Sequence, residues 1–368
     1  VCDFSSTEKI IEASTHINTQ LPIDAVMATY ENYIMPAAII SRHLNLPGMP
    51  IEAAQACTDK ELMRAKLIES PVKISPAFRV VDSPESLEEF AKNHSFPFIL
   101  KPANLSKSLV VSKCSTMDEL MKCYQSTMRV IEHVYAKYSP NSAPKLLIEE
   151  FMQGSIHSVD AFIDANGTPH VLENVVDYET GYDIGYNDNF HYSRLLPSTL
   201  DPSIAEAIRE TAALGCKALG MKSSPAHIEI IVTKDGPRIV EIGARNGGYR
   251  ERMHMLANGI DITYNALALA LGQPLNIRAK RNDYVGVFEL FPRTSGIFVG
   301  IKNEENLRKL PSLEYLSIKA SPGDTVGLSS AGYKMSAVVI LTNHDANTFE
   351  KDRFYLKNYV EIITSQDS

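Results

Sequence analysis

The amino-acid sequence, 368 residues long, lacks the features that mark several common classes of protein. It has no dense run of lysine and arginine, and its net charge of −8 and pI near 5.7 argue against nucleic-acid binding. No apolar stretch approaches the ~20 residues that a membrane-spanning helix requires. No signal peptide is visible either.

The cysteines do not indicate a disulfide framework or a zinc site. There are five of them, an odd number, and no two have CxxC spacing. This pattern predicts reduced, mostly buried thiols in a cytoplasmic protein. The cysteines are Cys2, Cys57, Cys114, Cys123 and Cys216.

The composition is that of a soluble globular protein, with 44% hydrophobic and 22% charged residues. A chain of this length is long for one hydrophobic core and suggests two or three domains. The sequence begins at Val1 rather than at methionine, on what reads as the end of a strand. We therefore expect further residues to precede it.

The first part of the chain, residues 1–57, alternates helix and strand patterns. Helical patterns around residues 6–18 and 36–44 flank a buried-strand pattern at residues 23–28. This is part of an α/β domain, and it is too short to be a complete one. A capping box then opens the next helix, with Thr58 expected at the N-cap and Glu61 at the third helical position.

Two acidic residues are predicted to face each other across a β-hairpin. Residues 226–233 and 237–242 read as strands joined by a turn centred on Asp235. In that register Glu229 faces Glu241, with Cβ atoms ~5 Å apart. The expected core face of the hairpin consists of Ile228, Ile230, Val232, Val240 and Ile242.

Two facing carboxylates destabilise a sheet unless a cation bridges them or one of them is protonated. Mg²⁺ suits such a pair, because it keeps waters and takes further ligands from the phosphates of a nucleotide. The alternative is a solvated pair of acids at an exposed edge. The loop at residues 243–248, which contains Arg245 and three glycines, favours phosphate chemistry.

Three further segments are candidates for a nucleotide site. Lys101 ends an apolar strand at residues 96–102 and leads into a loop at residues 103–108. An acidic, hinge-like segment at residues 148–154 contains Met152, which could pack on a flat heterocycle. Taken alone, Lys101 reads as an ordinary strand-end lysine, and Lys60 reads as a solvated residue in the first turn of a helix.

In order and spacing, these segments resemble the ATP-grasp superfamily of carboxylate–amine ligases over about residues 20–275. The matching segments are Thr58-Asp59-Lys60 with Arg64, residues 96–102, residues 148–154, the group Glu229, Glu241 and Arg245, and residues 259–274. The resemblance implies the ATP-grasp fold, in which two α+β subdomains grip ATP. It also implies a truncated Rossmann-like domain before them and a C-terminal α+β lid.

The resemblance also implies roles for individual residues. Glu229 and Glu241 would hold Mg²⁺ or Mn²⁺, and Arg245 would contact the transferred phosphoryl group. Glu149 would meet the adenine amino group, and Gly247 and Gly248 would lie at the substrate. The nucleotide-binding residues implied in all are Lys60, Lys101, Lys107, Glu149, Glu150, Met152 and His157.

The sequence departs from the family pattern at three places. The loop at residues 103–108 has no glycine, although Lys107 adds charge there. Ile156 replaces a frequent ribose-binding acid, so His157 is the candidate for part of that role, or else a structural histidine. Gly243 replaces a frequent asparagine, which leaves one metal ligand to be supplied by water.

The expected domains are a partial domain at residues 1–57, an ATP-grasp domain at 58–275 and an α+β domain at 276–368. The ATP-grasp domain would divide into a small subdomain at about 96–150 and a large one at about 151–275. Residues 176–199 are polar and unpatterned, and we expect a loop whose side chains either contact substrates or face solvent. Residues 288–292 and 321–324 resemble the lid-like extension of bacterial L-amino acid ligases of the bacilysin-synthetase type.

The favoured function is an ATP-dependent ligase that joins an amino-acid carboxylate to an amine through an acylphosphate, giving ADP and phosphate. Its partners would be small molecules, amino acids in particular, and relatives of this kind are often homodimers. A purine-biosynthetic or carboxylase-type enzyme of the same superfamily is an alternative. A nucleotide-binding protein without catalytic activity is a further one, which the glycine-free loop and Gly243 favour and the presence of Glu229, Glu241 and Arg245 disfavours.

Overall fold

The computed structural model describes residue 4 and residues 6–105, 110–139 and 142–365. Among these residues, no helix is both long enough and apolar enough to cross a membrane. The helices of the described part are α1 (Thr7–Gln20), α2 (Ile34–His43), α3 (Ile51–Thr58), α4 (Lys60–Ile68), α5 (Pro84–Asn93), α6 (Met117–Tyr138), α7 (Pro202–Ala218), α8 (Arg250–Asn258), α9 (Ile262–Ala270), α10 (Glu304–Leu307) and α11 (Ala346–Tyr359).

The strands of the described residues form three sheets. In chain order they are β1 (Phe78–Val81), β2 (Phe98–Pro102), β3 (Ser112–Cys114), β4 (Leu146–Glu150), β5 (Gly154–Ile163), β6 (Pro169–Val171), β7 (Val176–Thr180), β8 (His191–Leu196), β9 (Ser224–Thr233), β10 (Gly236–Gly243), β11 (Tyr284–Leu290), β12 (Gly296–Lys302), β13 (Leu313–Ile318), β14 (Thr325–Val326), β15 (Ala337–Asn343) and β16 (Glu361–Ser365).

A four-stranded antiparallel sheet, in the order β1-β4-β2-β3, carries α5 and α6 on one face. Its core includes Phe98 and Leu100 of β2, Ile148 of β4 and Leu120 of α6, all fully buried. Helix α6 begins after Thr116, whose side chain caps the helix by accepting a hydrogen bond from the Glu119 backbone. This sheet places Lys101 and Glu149 on neighbouring strands.

A nine-stranded sheet runs in the order β10-β9-β5-β7-β8-β11-β15-β13, with β6 paired to β5. The largest core cluster lies between its β5, β9 and β10 end and the helices α3, α4 and α7. Fully buried side chains there include Leu67, Cys216, Ile228, Ile230 and Ile239. Strand β10 is an edge strand of this sheet, and it carries Glu241.

The expected loop at residues 176–199 is wrong, since it contains β7 and β8, two inner strands of the large sheet. Their polar side chains satisfy one another, as where Ser193 donates to Glu179 over 2.8 Å. Tyr192 is buried in the core. Because polar residues that hydrogen-bond to each other occupy inner positions, these strands lack the usual alternation of apolar and polar residues.

The C-terminal strands continue the large sheet. Strand β11 pairs with β8 on one side and with β15 on the other, and β13 closes the edge. A separate three-stranded sheet, β14-β12-β16, packs beside them with α11. The expected boundary at residue 276 falls between α9 and β11, and the division into domains there stays a prediction.

The N-terminal part differs from expectation in two respects. Residues 23–28 form no strand, because no described strand lies alongside to pair with them. The N-cap of α4 is Asp59, whose side chain accepts from the backbones of Glu61 and Leu62. Thr58 was the wrong choice of cap, because it is the last residue of α3, a helix the pattern did not predict.

The acidic hairpin forms as predicted near the acids but not near its turn. Glu229 faces Glu241 and Ile228 faces Ile242, whereas Ile230 faces Ile239 instead of Val240. A β-bulge between Ile239 and Glu241 absorbs the one-residue shift. Ile239 is therefore fully buried, and Val240 is half-buried and outside the core cluster.

The register at the bulge predicts that Ile239 contributes more to stability than Val240 does. Ile239→Ala should lower the free energy of unfolding by about 2–5 kcal/mol, because it removes a fully buried side chain. Val240→Ala should cost about 1 kcal/mol or less, since that side chain is only half-buried. Urea unfolding of the two variants measures both values. Equal losses, or a larger loss at Val240, would contradict the observed register.

Candidate functional site

A cavity of about 1120 Å³ lies between the N-terminal segment, the acidic hairpin and the start of α8. Six residues that the sequence analysis named line this cavity. These are Glu229, Glu241, Gly243, Arg245, Gly247 and Gly248. His191 of β8 also lines it, so one residue of the expected substrate loop does reach the cavity.

Glu229 and Glu241 occupy opposed positions on β9 and β10, and their side chains are 31% and 30% exposed. Burial alone would raise the pKa of Glu229, but the nearby His227 lowers it to about 2. Glu229 is therefore ionised at neutral pH. No group of three metal-binding side chains occurs among the described residues. Two opposed carboxylates still suit a hard cation that takes its other ligands from phosphates and water.

Lys60 reaches this pair of acids from the first turn of α4. Its Nζ lies 3.3 Å from Oε1 of Glu241 and donates to the backbone oxygen of Leu105 over 3.0 Å. The Lys60 side chain is 14% exposed. Lys60 is therefore a largely buried cation that contacts one of the acids. It is not the solvated first-turn lysine that the sequence alone suggested.

Arg245 is held by a residue that the sequence did not reveal. Its Nε donates to Oε2 of Glu31 over 2.8 Å, across 214 positions of the chain. Burial raises the pKa of Glu31 against the opposing attraction of Arg245. A Cβ at Gly243 would lie 3.4 Å from the same Glu31 oxygen. No local sequence pattern links Glu31 to Arg245, so this contact could have been predicted only from the fold of the N-terminal segment.

The first glycine after Arg245 leaves room for a buried charged network. A Cβ at Gly247 would overlap the His227 ring and lie 2.6 Å from Cγ of Arg250. The His227 ring bonds through Nδ1 to Asp160 over 2.8 Å. The attraction of Asp160 raises the pKa of His227 against its burial. Gly247 thus lets His227 lie directly behind Glu229.

Lys101 and Glu149 form a second charged group, on the small sheet. Lys101 Nζ lies 2.7 Å from Oε2 of Glu149, and Arg64 Nε lies 2.9 Å from the other oxygen. Burial lowers the pKa of Lys101 to about 8 despite the attraction of Glu149. Burial opposes ionisation of Glu149, but Arg64 and then Lys101 bring the pKa of that carboxyl down to about 2.

In the hinge at residues 148–154, some backbone N–H groups are already hydrogen-bonded within the protein and others are not. The Glu150 N–H donates to Ala77 over 3.0 Å, and the Glu150 carboxylate accepts from the Ala77 N–H over 3.0 Å. Among the described residues, the N–H of Met152 has no hydrogen-bond partner. Met152 therefore keeps a donor for a bound base, whereas the side chain and N–H of Glu150 are already engaged.

The two remaining residues that were expected to bind the nucleotide are His157 and Lys107. His157 is buried, with Nδ1 2.9 Å from Asp177 and Nε2 2.7 Å from the Ser155 hydroxyl. Both ring nitrogens are thus occupied within the protein, which favours the structural interpretation over ribose binding. Lys107 lies outside the described residues.

Comparison with known proteins is consistent with this geometry. Residues 94–251 match the family model of the ATP-grasp domain. The alanine–anticapsin ligase of Bacillus subtilis is 24% identical over 308 residues, which cover 78% of this chain and 63% of the relative. The chain thus spans a little under two thirds of the length of such relatives.

Two solved structures show the same fold. An L-amino acid ligase from Bacillus licheniformis has a TM-score of 0.79 at 20% identity, covering 99% of this chain and 86% of that one. The biotin carboxylase domain of a Hydrogenobacter thermophilus 2-oxoglutarate carboxylase, in complex with MgADP, has a TM-score of 0.66 at 15% identity, covering 97% and 78%. The predicted ATP-grasp fold and the resemblance to L-amino acid ligases are confirmed.

The two glycines after Arg245 give a matched test of the packing behind Glu229. Gly247→Ala should lower the free energy of unfolding by about 1–3 kcal/mol, because its Cβ would push against His227 and Arg250. Gly248→Ala should change it by no more than about 0.5 kcal/mol, since no atom lies within 4 Å of the added Cβ. Urea unfolding measures both. Equally small effects would show that His227 is not confined by Gly247.

Proposed function

We propose that this chain, whose residues 94–251 match the ATP-grasp domain, is an ATP-dependent ligase that joins an amino-acid carboxylate to an amine. Its products would be an amide, ADP and phosphate, and a dipeptide is the favoured amide. The observation that carries the proposal is the pair of opposed acids that line one cavity with Arg245, while Lys60 contacts one of the acids. The similarity to L-amino acid ligases supports the choice of substrates.

Glu229 and Glu241 would hold the divalent cation, Mg²⁺ or Mn²⁺. When bound, that ion neutralises charge on the phosphates of ATP and orients them. Glu229 needs no change of protonation to act, because its pKa of about 2 leaves it ionised at neutral pH. Lys60, already 3.3 Å from Glu241, would add positive charge at the same phosphates.

The base of ATP would lie at the hinge beyond β4. The free N–H of Met152 would donate to it, and the sulfur-bearing side chain would pack on its face. Lys101, anchored by Glu149, would contact the phosphates from the small sheet. Glu149 would act mainly as that anchor, because both of its oxygens are already bonded to cations.

The reaction proceeds in two transfers. An oxygen of the substrate carboxylate attacks the γ-phosphorus, the bond from that phosphorus to the bridging oxygen breaks, and ADP leaves. The amine nitrogen then attacks the acyl carbon of the acylphosphate, the carbon–oxygen bond breaks, phosphate leaves and the nitrogen loses a proton. The protein supplies position and charge rather than a covalent nucleophile.

Arg245 is the residue best placed to act in both transfers. Its guanidinium would stabilise the charge that develops on the transferred phosphoryl group. Glu31 fixes the Nε edge of that guanidinium, and Asn246 accepts from Nη1 over 3.0 Å. The substrates would approach through the cavity, in which Tyr249 and Met255 provide apolar wall beyond the acids.

The activity can be tested by phosphate release. With Mg-ATP, the protein should release phosphate and ADP only when suitable amino acids are added in pairs, and mass spectrometry should find the dipeptide. Glu241→Gln should lower the rate roughly 100-fold or more, because it removes a charge at the phosphates. Glu206→Gln, an exposed acid of α7, is the matched control.

Two outcomes would contradict the ligase assignment. Release driven by bicarbonate or by a ribonucleotide, without amino acids, would indicate a carboxylase-type or purine-biosynthetic activity. Nucleotide binding with no turnover under any substrate pair would indicate a protein that only binds nucleotides.

The lowered pKa of Lys101 predicts how nucleotide affinity depends on pH. A lysine with a pKa of about 8 is charged below that pH and neutral above it. The dissociation constant of Mg-ATP should therefore rise from pH 7 to pH 9, by up to about tenfold per pH unit above pH 8. Lys101→Arg stays charged and should lose this rise. A flat profile, or the same profile in Lys101→Arg, would exclude Lys101 as the titrating phosphate ligand.

A further inference from the structure

We propose that Arg64 is a positioning residue that couples the base-binding hinge to the metal-binding acids. The inference rests on the proposed function, because it concerns the same nucleotide and the same two carboxylates. Arg64 lies on α4, one turn after Lys60, and its side chain is almost completely buried, at 1% exposed. A buried guanidinium must have its donors satisfied, and the partners of Arg64 lie on two different sheets.

One side of the guanidinium holds the hinge. Nε donates to Oε1 of Glu149 over 2.9 Å, and Nη2 reaches Oε2 of the same carboxylate over 3.3 Å. This is a bidentate contact, which fixes both the position and the plane of the carboxylate. Glu149 in turn holds Lys101 and directly precedes the residues that would contact the base.

The other side holds the β-bulge of β10. Nη1 donates to the backbone oxygen of Ile239 over 3.1 Å, and Nη2 donates to that of Val240 over 2.8 Å. A bulge on an edge strand leaves backbone groups outside the regular ladder, and buried ones need another partner. The planar fork of arginine can satisfy two adjacent carbonyls and a carboxylate together, which an ammonium cannot.

The bulge decides where Glu241 points. Between the turn and the bulge, Ile239 faces Ile230 and Pro237 faces Val232. Continued without the bulge, that register would place Glu241 opposite Ile228, on the core face, because a one-residue shift turns every side chain to the other face. The bulge at Val240 instead keeps Glu241 opposite Glu229 and at the cavity.

Arg64 therefore ties the hinge to the geometry of the acids. If this link matters, loss of the fork should weaken the part of nucleotide binding that depends on the metal. A merely structural arginine would lower stability and leave that part unchanged. The quantity that separates the two is the ratio of the ADP dissociation constants measured without and with Mg²⁺.

Arg64→Lys is the informative variant, because it keeps the charge and loses the fork. We expect the ADP ratio to fall about tenfold or more, as when residues that orient metal ligands are changed. Leu67→Ala is the matched control, since Leu67 lies on the same helix and is fully buried in the core, but its aliphatic side chain has no donor for Glu149 or for the carbonyls of β10. The control should lose stability and keep the wild-type ratio.

The outcomes separate this inference from the proposed function. A wild-type ratio near one would mean that no metal is bound with the nucleotide, and the proposed function itself would fail. A wild-type ratio well above one that Arg64→Lys retains would overturn the role of Arg64 alone. An equal fall in Leu67→Ala would also overturn it, because lost stability would then explain the effect.

A second measurement decides the matter if Arg64→Lys does not fold. Adenosine keeps the base that would bind at the hinge and lacks the phosphates that would reach the acids and the metal. In the wild-type protein, we expect saturating adenosine to slow amide hydrogen exchange at residues 239–241 of β10 severalfold. Unchanged exchange there, with exchange slowed at residues 148–152, would show that the hinge and the bulge are not coupled.

Discussion

Two carboxylates on opposed positions of a hairpin repel each other, and much of the surrounding structure follows from that repulsion. Glu229 and Glu241 are only partly exposed, so water screens them incompletely. The protein places Lys60 against one acid and His227 behind the other. Neither contact cancels both charges, which leaves the space between the acids suited to a divalent cation and the phosphates that accompany it.

Parts of the site were predictable from sequence because they depend on local patterns of residues. The alternation of apolar residues on two strands with a glycine turn predicts a hairpin, and the positions of the acids on it predict that they meet. Lys101 at the end of an apolar strand, and the glycines after Arg245, are local patterns of the same kind. Each depends on residues close in sequence, and the structure keeps each in its expected element.

The features that were missed depend on contacts between distant parts of the chain. The bulge at Val240 forms where Arg64 of another element donates hydrogen bonds to the displaced carbonyls, so no local pattern reveals it. Glu31 reaches Arg245 only after the N-terminal segment has packed against the hairpin. Strands β7 and β8 read as a loop because their polar side chains are satisfied by neighbours that the sequence does not identify.

The most direct test of the central claim is the position of a bound metal ion. Crystals of the protein grown with Mn²⁺ and ADP should show an anomalous scattering peak between the carboxylates of Glu229 and Glu241, in contact with the phosphates. The peak should vanish in a crystal of the Glu229→Gln, Glu241→Gln double variant. A manganese ion bound elsewhere, or ADP bound with no metal between these acids, would contradict the account.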